Sequence, residues 1–152
     1  MDDIAELIER LRAAGRNVWQ SVSATEQQVA DLECAFGQQM PPRYRTFLQR
    51  WGAIGVLGSM YSGIINGKIE GSRGCAWTDT KRAREFCQLP PHYLVVQPDE
   101  DGYVCLDFSR TAPGGEHPVV YHMPFRNTPF NELAPNYAAW LRERLGAMID
   151  EE

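Results

Sequence analysis

Cysteine, histidine and carboxylate side chains are where this chain would carry chemistry. Four cysteines (Cys34, Cys75, Cys87, Cys105) and three histidines (His92, His117, His122) are present. A thiol nucleophile needs a base within hydrogen-bond reach and a depressed pKa. Cys75 or Cys105 with His92 or His122 would supply those parts of a small thiol hydrolase. No G-x-S-x-G or similar strained turn frames a nucleophile, and the spacing selects no trio. There is no C-x-x-C and no paired Cys/His spacing, so no zinc site is expected. The thiols are expected to be small buried hydrophobes and the histidines structural. The run Asp99-Glu100-Asp101 invites a cation. Calcium loops, however, spread their ligands over a dozen positions, and Asp101-Gly102 is hairpin turn chemistry. Exposed on a turn, the three acids would steer a basic partner and raise its association rate more than its affinity.

Neither a G-x-G-x-x-G nor a phosphate-cradling loop occurs among the 13 glycines. Gly71-Ser72-Arg73-Gly74 is too short for one, and no cofactor or metal is expected. Tyr44, Phe47, Trp51, Tyr137 and Trp140 fall on helical stripes and are expected in the core. Trp19, Tyr61, Trp77, Phe125 and Arg126 join no stripe, and Trp, Tyr and Arg are the types that anchor interfaces. Tyr61, Glu70, Trp77, Asp99, Glu100 and Asp101 are the residues expected to contribute if the chain binds a protein partner.

Those residues must be positioned by a chain of 152 residues, which is one domain by length and long enough to bury a core without a metal or disulfide. Hydrophobic residues make up 43% and charged residues 23%, an ordinary soluble balance. The net charge of −5 argues against direct nucleic-acid binding, which needs a basic stripe to displace phosphate counterions. MDDIAELIERLRAAG is too acidic and too interrupted for a secretory signal, and no run approaches a membrane span. A cytoplasmic location without membrane attachment is expected.

Residues 2–14 have the spacing of a helix, with Ile4, Leu7, Ile8 and Leu11 on one face and Gly15 after it. Arg16 to Val22 is expected as a connector. Ser23 and Glu26 have the S-x-x-E spacing of a capping box for a helix carrying Val29, Leu32 and Phe36, stopped at Gly37. Pro42 opens the next helix, with Tyr44, Phe47, Leu48 and Trp51 as its stripe. Asn66-Gly67 between Ile64-Ile65 and Lys68-Ile69 is a hairpin signal. Thr78-Asp79-Thr80 is expected to cap a basic helix through Cys87, with Lys81, Arg82 and Arg84 on a solvated face. Strands are expected over 93–96, 103–108 and 119–123, and a last helix from Pro135. Strands in the middle and helices at both ends predict an α+β fold, a mostly antiparallel sheet with helices on one side.

The residues Val29, Leu32, Glu33, Phe36, Gly37, Met40, Pro41, Tyr44, Phe47, Leu48, Trp51 and Gly52, in that spacing, resemble the entry motif of the SUKH superfamily. That superfamily contains the fungal Smi/Knr cell-wall-assembly regulators and many bacterial toxin-immunity proteins. Ile69-Glu70-Gly71, then Gly102 to Asp107, Pro118 to His122, and Phe130, Leu133, Tyr137, Trp140 and Leu141 continue the resemblance, which spans about 21–145. It implies a curved antiparallel sheet flanked by helices. It also implies a non-catalytic immunity protein that blocks a cognate toxin; the chain's acidity would suit a basic, nuclease-like target. The alternatives are a regulatory scaffold with several partners, as in the fungal members, and the thiol hydrolase described above. A monomer or a weak dimer through an exposed strand edge fits either binding role.

Overall fold

A computed structural model describes residues 1–124 and 131–150. Phe125, Arg126 and Phe130, named above, lie outside the described residues. Five helices are described: α1 (Asp2–Ala13), α2 (Glu26–Phe36), α3 (Pro42–Trp51), α4 (Ala76–Cys87) and α5 (Tyr137–Ile149). Among the described residues, seven strands form two antiparallel sheets. The first holds β1 (Val18–Gln20), β2 (Ile54–Val56) and β3 (Ser59–Tyr61), and the second β4 (Tyr93–Pro98), β5 (Tyr103–Asp107), β6 (Val119–His122) and β7 (Glu132–Ala134), each in chain order. The fold is α+β.

The family-like motif in α2 and α3 does structural work. Glu33 accepts the Met40 N–H at 2.7 Å and pairs with Arg45, which ties down the Gly37–Pro41 connection. Tyr44, Phe47 and Trp51 stack among themselves and, through Tyr44 and Phe47, against Tyr137 of α5. Gly52 ends α3 at φ 72°, and a Cβ there would meet the Val22 carbonyl oxygen at 2.4 Å, so no other residue fits. The cap of α2 is shifted from the expected one. Thr25 Oγ1 accepts from the Gln28 N–H and the Gln28 side-chain oxygen accepts from the Thr25 N–H, whereas the Ser23 hydroxyl donates to the Arg50 carbonyl. Cys75, three residues ahead of Thr78, is the cap position of α4.

The expected hairpin at Asn66-Gly67 is a tight turn with a single bridge, Ile65 to Lys68. Its flanks are committed elsewhere: Gly63 donates to Gly74 and Ile64 to Gly52. Helices cover both faces of the four-stranded sheet rather than one. The larger core gathers α1, α2, α3 and α5 against one face through Leu94, Val96, Val104 and Leu106. A smaller cluster of Ala83, Leu89, Val95, Cys105 and Val120 seats α4 on the other.

One irregularity positions the site described below. Val95 pairs with Cys105 but Gln97 pairs with Val104, so Val96 is a β-bulge. The groups freed by the bulge find partners outside the sheet. The Val95 N–H donates to Thr80 Oγ1, and the Val96 carbonyl accepts from the Ser62 N–H just beyond β3, which joins the two sheets.

Candidate functional site

The β4–β5 turn holds the acidic run. Asp99 closes it, since its Oδ1 accepts the Asp101 and Gly102 N–H groups at 2.8 and 2.7 Å and the Tyr121 hydroxyl at 2.8 Å. Burial first, then the bond to Asp99 and the nearby Asp101 charge, pushes the Tyr121 phenol far up, so it remains a donor. Gly102 is required here because a Cβ would approach the His122 carbonyl oxygen to 2.4 Å. Glu100 and Asp101 are exposed, and no ion pair with either is described. The turn is thus a rigid mount for outward-facing carboxylates.

Behind it lies a cavity of about 310 Å³, lined by Gln97, Asp99, Val104, Tyr121, Leu133, Trp140, Glu143 and Arg144. The bulge explains its floor. Gln97 opposes Val104, and Val104 opposes Tyr121, so all three face α5 in one cross-strand row. Without the extra residue, strand alternation would turn Gln97 to the α4 side. The roof is α5, where Trp140, Glu143 and Arg144 recur at i, i+3 and i+4 on one helix face. Gln97 is 8% exposed, and its Nε2 has no hydrogen-bond partner.

Other expected contributors are distributed differently. Tyr61 is wholly buried, packs on Trp140 with centroids 5.6 Å apart and points its hydroxyl at Met148 Sδ, so it is a core residue and not a surface anchor. Trp77 is half-buried on α4, edge-on to Phe36, with Lys81 and Arg84 over its ring at 5.6 and 5.2 Å. Glu70 pairs with Lys81, so Glu70 and Trp77 meet around that ammonium. No described contact joins them to the acidic turn. Arg84 is not simply solvated, since it also donates to the Pro91 carbonyl. Trp19 is 43% exposed and lines a separate groove with Leu57 and Met60.

The groups proposed for thiol chemistry are dispersed. Cys105 is wholly buried, and burial pushes its thiol well above the usual range. Cys75 is buried at the start of α4 with its Sγ 3.5 Å from the Lys68 carbonyl. No described contact joins either sulfur to a histidine. His92 lies 4.0 Å from Asp107, whose carboxylate mainly ties the end of β5 by accepting from Ser109 and Arg110.

A family model described as SUKH_5, SMI1-KNR4 cell-wall, matches residues 4–146. The chain belongs to the SUKH family. The match reaches further than the motifs legible in sequence, taking in α1, whose Ile4, Ile8 and Leu11 are buried in the shared core of this SUKH domain. No curated protein matches the chain. Among the described residues of this SUKH domain, no helix is long and apolar enough to cross a membrane.

Sequence reasoning passed over Gln97, Tyr121, Glu143 and Arg144. A polar residue inside the apolar run Tyr-Leu-Val-Val-Gln-Pro was a signal for the first, and the Trp140, Glu143, Arg144 spacing was a signal for the last two.

Proposed function

We propose that this SUKH domain is a non-catalytic protein-binding module of the immunity type, which occludes a cognate toxin with the acidic turn and the cavity behind it. The observation that carries this reading is the turn itself. Glu100 and Asp101 project from a mount that Asp99 fixes by accepting hydrogen bonds from two backbone amides and the Tyr121 hydroxyl, beside a concave surface lined by the Gln97 side chain. Preorganised charge of this kind lowers the ordering cost of association and steers an oppositely charged partner. A basic toxin, nuclease-like in charge, is the partner that fits. Family membership and the dispersal of thiols and histidines support the same reading.

The test uses E100Q/D101N, which removes two exposed charges and leaves Asp99 to hold the turn. With the partner captured from the native cell, the variant should associate about threefold to tenfold more slowly at low salt and lose most of its salt dependence. Unchanged association rate and salt dependence would remove the turn from the interface. Several weakly held partners in place of one stoichiometric partner would favour the scaffold role instead, which the cell-wall description of the family model supports.

A further inference from the structure

The cavity under α5 is built around a group the fold leaves unused. A bulge, itself satisfied by Thr80 and Ser62, turns Gln97 onto the α5 face, where it is 8% exposed and its Nε2 is without a partner. A buried amide left unpaired costs about 1–3 kcal/mol, a cost a core position would shed by becoming apolar. Nε2 is the enclosed end of the carboxamide, which leaves the oxygen as the end offered to the cavity, and no described hydrogen bond uses it.

The rest of the lining selects a ligand. Asp99 spends Oδ1 on the turn and on Tyr121, and no described bond uses its Oδ2. Glu143 and Arg144 stand above the cavity with no described ion pair, and among the described residues Arg144 is the one cation of the lining. Among the described residues, the carboxylates of Asp99 and Glu143 leave one negative charge in excess. Val104 and Trp140 supply an apolar and aromatic wall. At about 310 Å³ the space equals roughly ten water volumes, enough for one long side chain.

Resting on the partner-binding reading above, we propose that this cavity receives an arginine side chain carried on a loop of the partner protein. Its guanidinium is held between Asp99 and Glu143, and the Gln97 carboxamide oxygen accepts one N–H. Arginine fits where lysine does not, because a planar fork of five donors spans two carboxylates and an amide while its face lies on an indole. The apolar stem then covers Val104.

The test is an NMR titration of the full 15N-labelled chain with Nα-acetyl-arginine amide, using the neutral capped citrulline as the isosteric control. The expected result is saturable movement of the Gln97 side-chain amide and the Trp140 indole N–H with arginine only. E143Q, a change on the exposed face of α5, should weaken it about fivefold, the loss of one charge-assisted contact. Equal binding of citrulline, unchanged affinity in E143Q, or no movement at Gln97 would each overturn the proposal. If the wild type captures a partner that E143Q and Q97L hold equally well, the cavity assignment fails and the binding role stands. If the arginine probe saturates as expected and no partner is captured, the cavity chemistry stands and the binding role fails.

Discussion

At the scale of single residues, Gln97 and Gly102 show opposite relations between stability and fit. Gln97 is buried with an unpartnered amide, so Gln97→Leu removes an unmet polar group and should stabilise the fold by about 1 kcal/mol in urea unfolding. A destabilised variant would mean that the amide is satisfied in solution. Gly102 is fitted to its neighbours, and Gly102→Ala drives a methyl into the His122 carbonyl oxygen and the Tyr121 ring. A loss of about 1–3 kcal/mol in the same assay is expected, with backbone disturbance confined to the β5–β6 ladder. The cysteines separate by exposure: Cys34 is exposed, whereas Cys75 and Cys105 are buried. Alkylation of the native protein near neutral pH should therefore modify Cys34 first and Cys105 last. Rapid modification of Cys105 would revive the thiol-enzyme alternative.

At the scale of elements, long amphipathic segments were legible in sequence and short ones were not. The stripes of α1, α3 and α5 and the strands β4, β5 and β6 stand close to their expected places, because periodicity over ten residues or an apolar run bounded by turns is a strong local signal. β1 and β7 have three residues each, too few to show a period, and β1 lay in the stretch expected as a connector. The α2 cap had two overlapping solutions, Ser23 with Glu26 and Thr25 with Gln28. Tertiary demand decided between them: α3 takes Ser23's hydroxyl at Arg50 and the Ala24 N–H at Leu48. Thr25→Ala should accordingly cost about 1 kcal/mol in urea unfolding, while Glu26→Ala leaves stability nearly unchanged. The bulge in β4, which forms the cavity floor, was hidden for a similar reason, since its partners Ser62 and Thr80 are distant in sequence. α4 adds a pH dependence. Asp79 in its first turn is buried, which raises its pKa despite bonds from Ser62 and Gly74 and the nearby Arg73 and Arg82 charges. A raised carboxyl favours the native state when protonated, so that stabilisation is present below the ordinary carboxylate pKa of about 4 and lost as pH rises through the raised value. Stability relative to Asp79→Asn should therefore fall as pH rises through that window, measured by urea unfolding at each pH.

At the scale of the whole molecule, a net charge of −5 is too small to define a target, and its placement matters more. The acidic turn and Glu143 meet at one end of the four-stranded sheet; on the α4 side Arg73 and Arg82 share a groove with Asp99, whereas Lys81 and Arg84 gather around Trp77. Under the proposed binding role, steering of a basic partner would fall to Glu100 and Asp101, the exposed acids of the turn with no described ion pair. The sequence alone placed Asp99, Glu100 and Asp101 on an exposed turn, but it scattered the aromatic anchors. Tyr61 went to the core, and Trp77 joined a cation cluster with no described contact to the turn. The cavity arises only when α5 closes over the bulged strand, a long-range event that residue spacing does not encode. The most direct test of the account is photocrosslinking in the native cell, with p-benzoylphenylalanine replacing Glu100 at the turn and, separately, Gln27 on the exposed face of α2. One dominant protein adduct from position 100, absent from position 27, is the predicted result. No adduct at position 100, or the same scatter of adducts from both positions, would contradict the claim that this turn is where a partner docks.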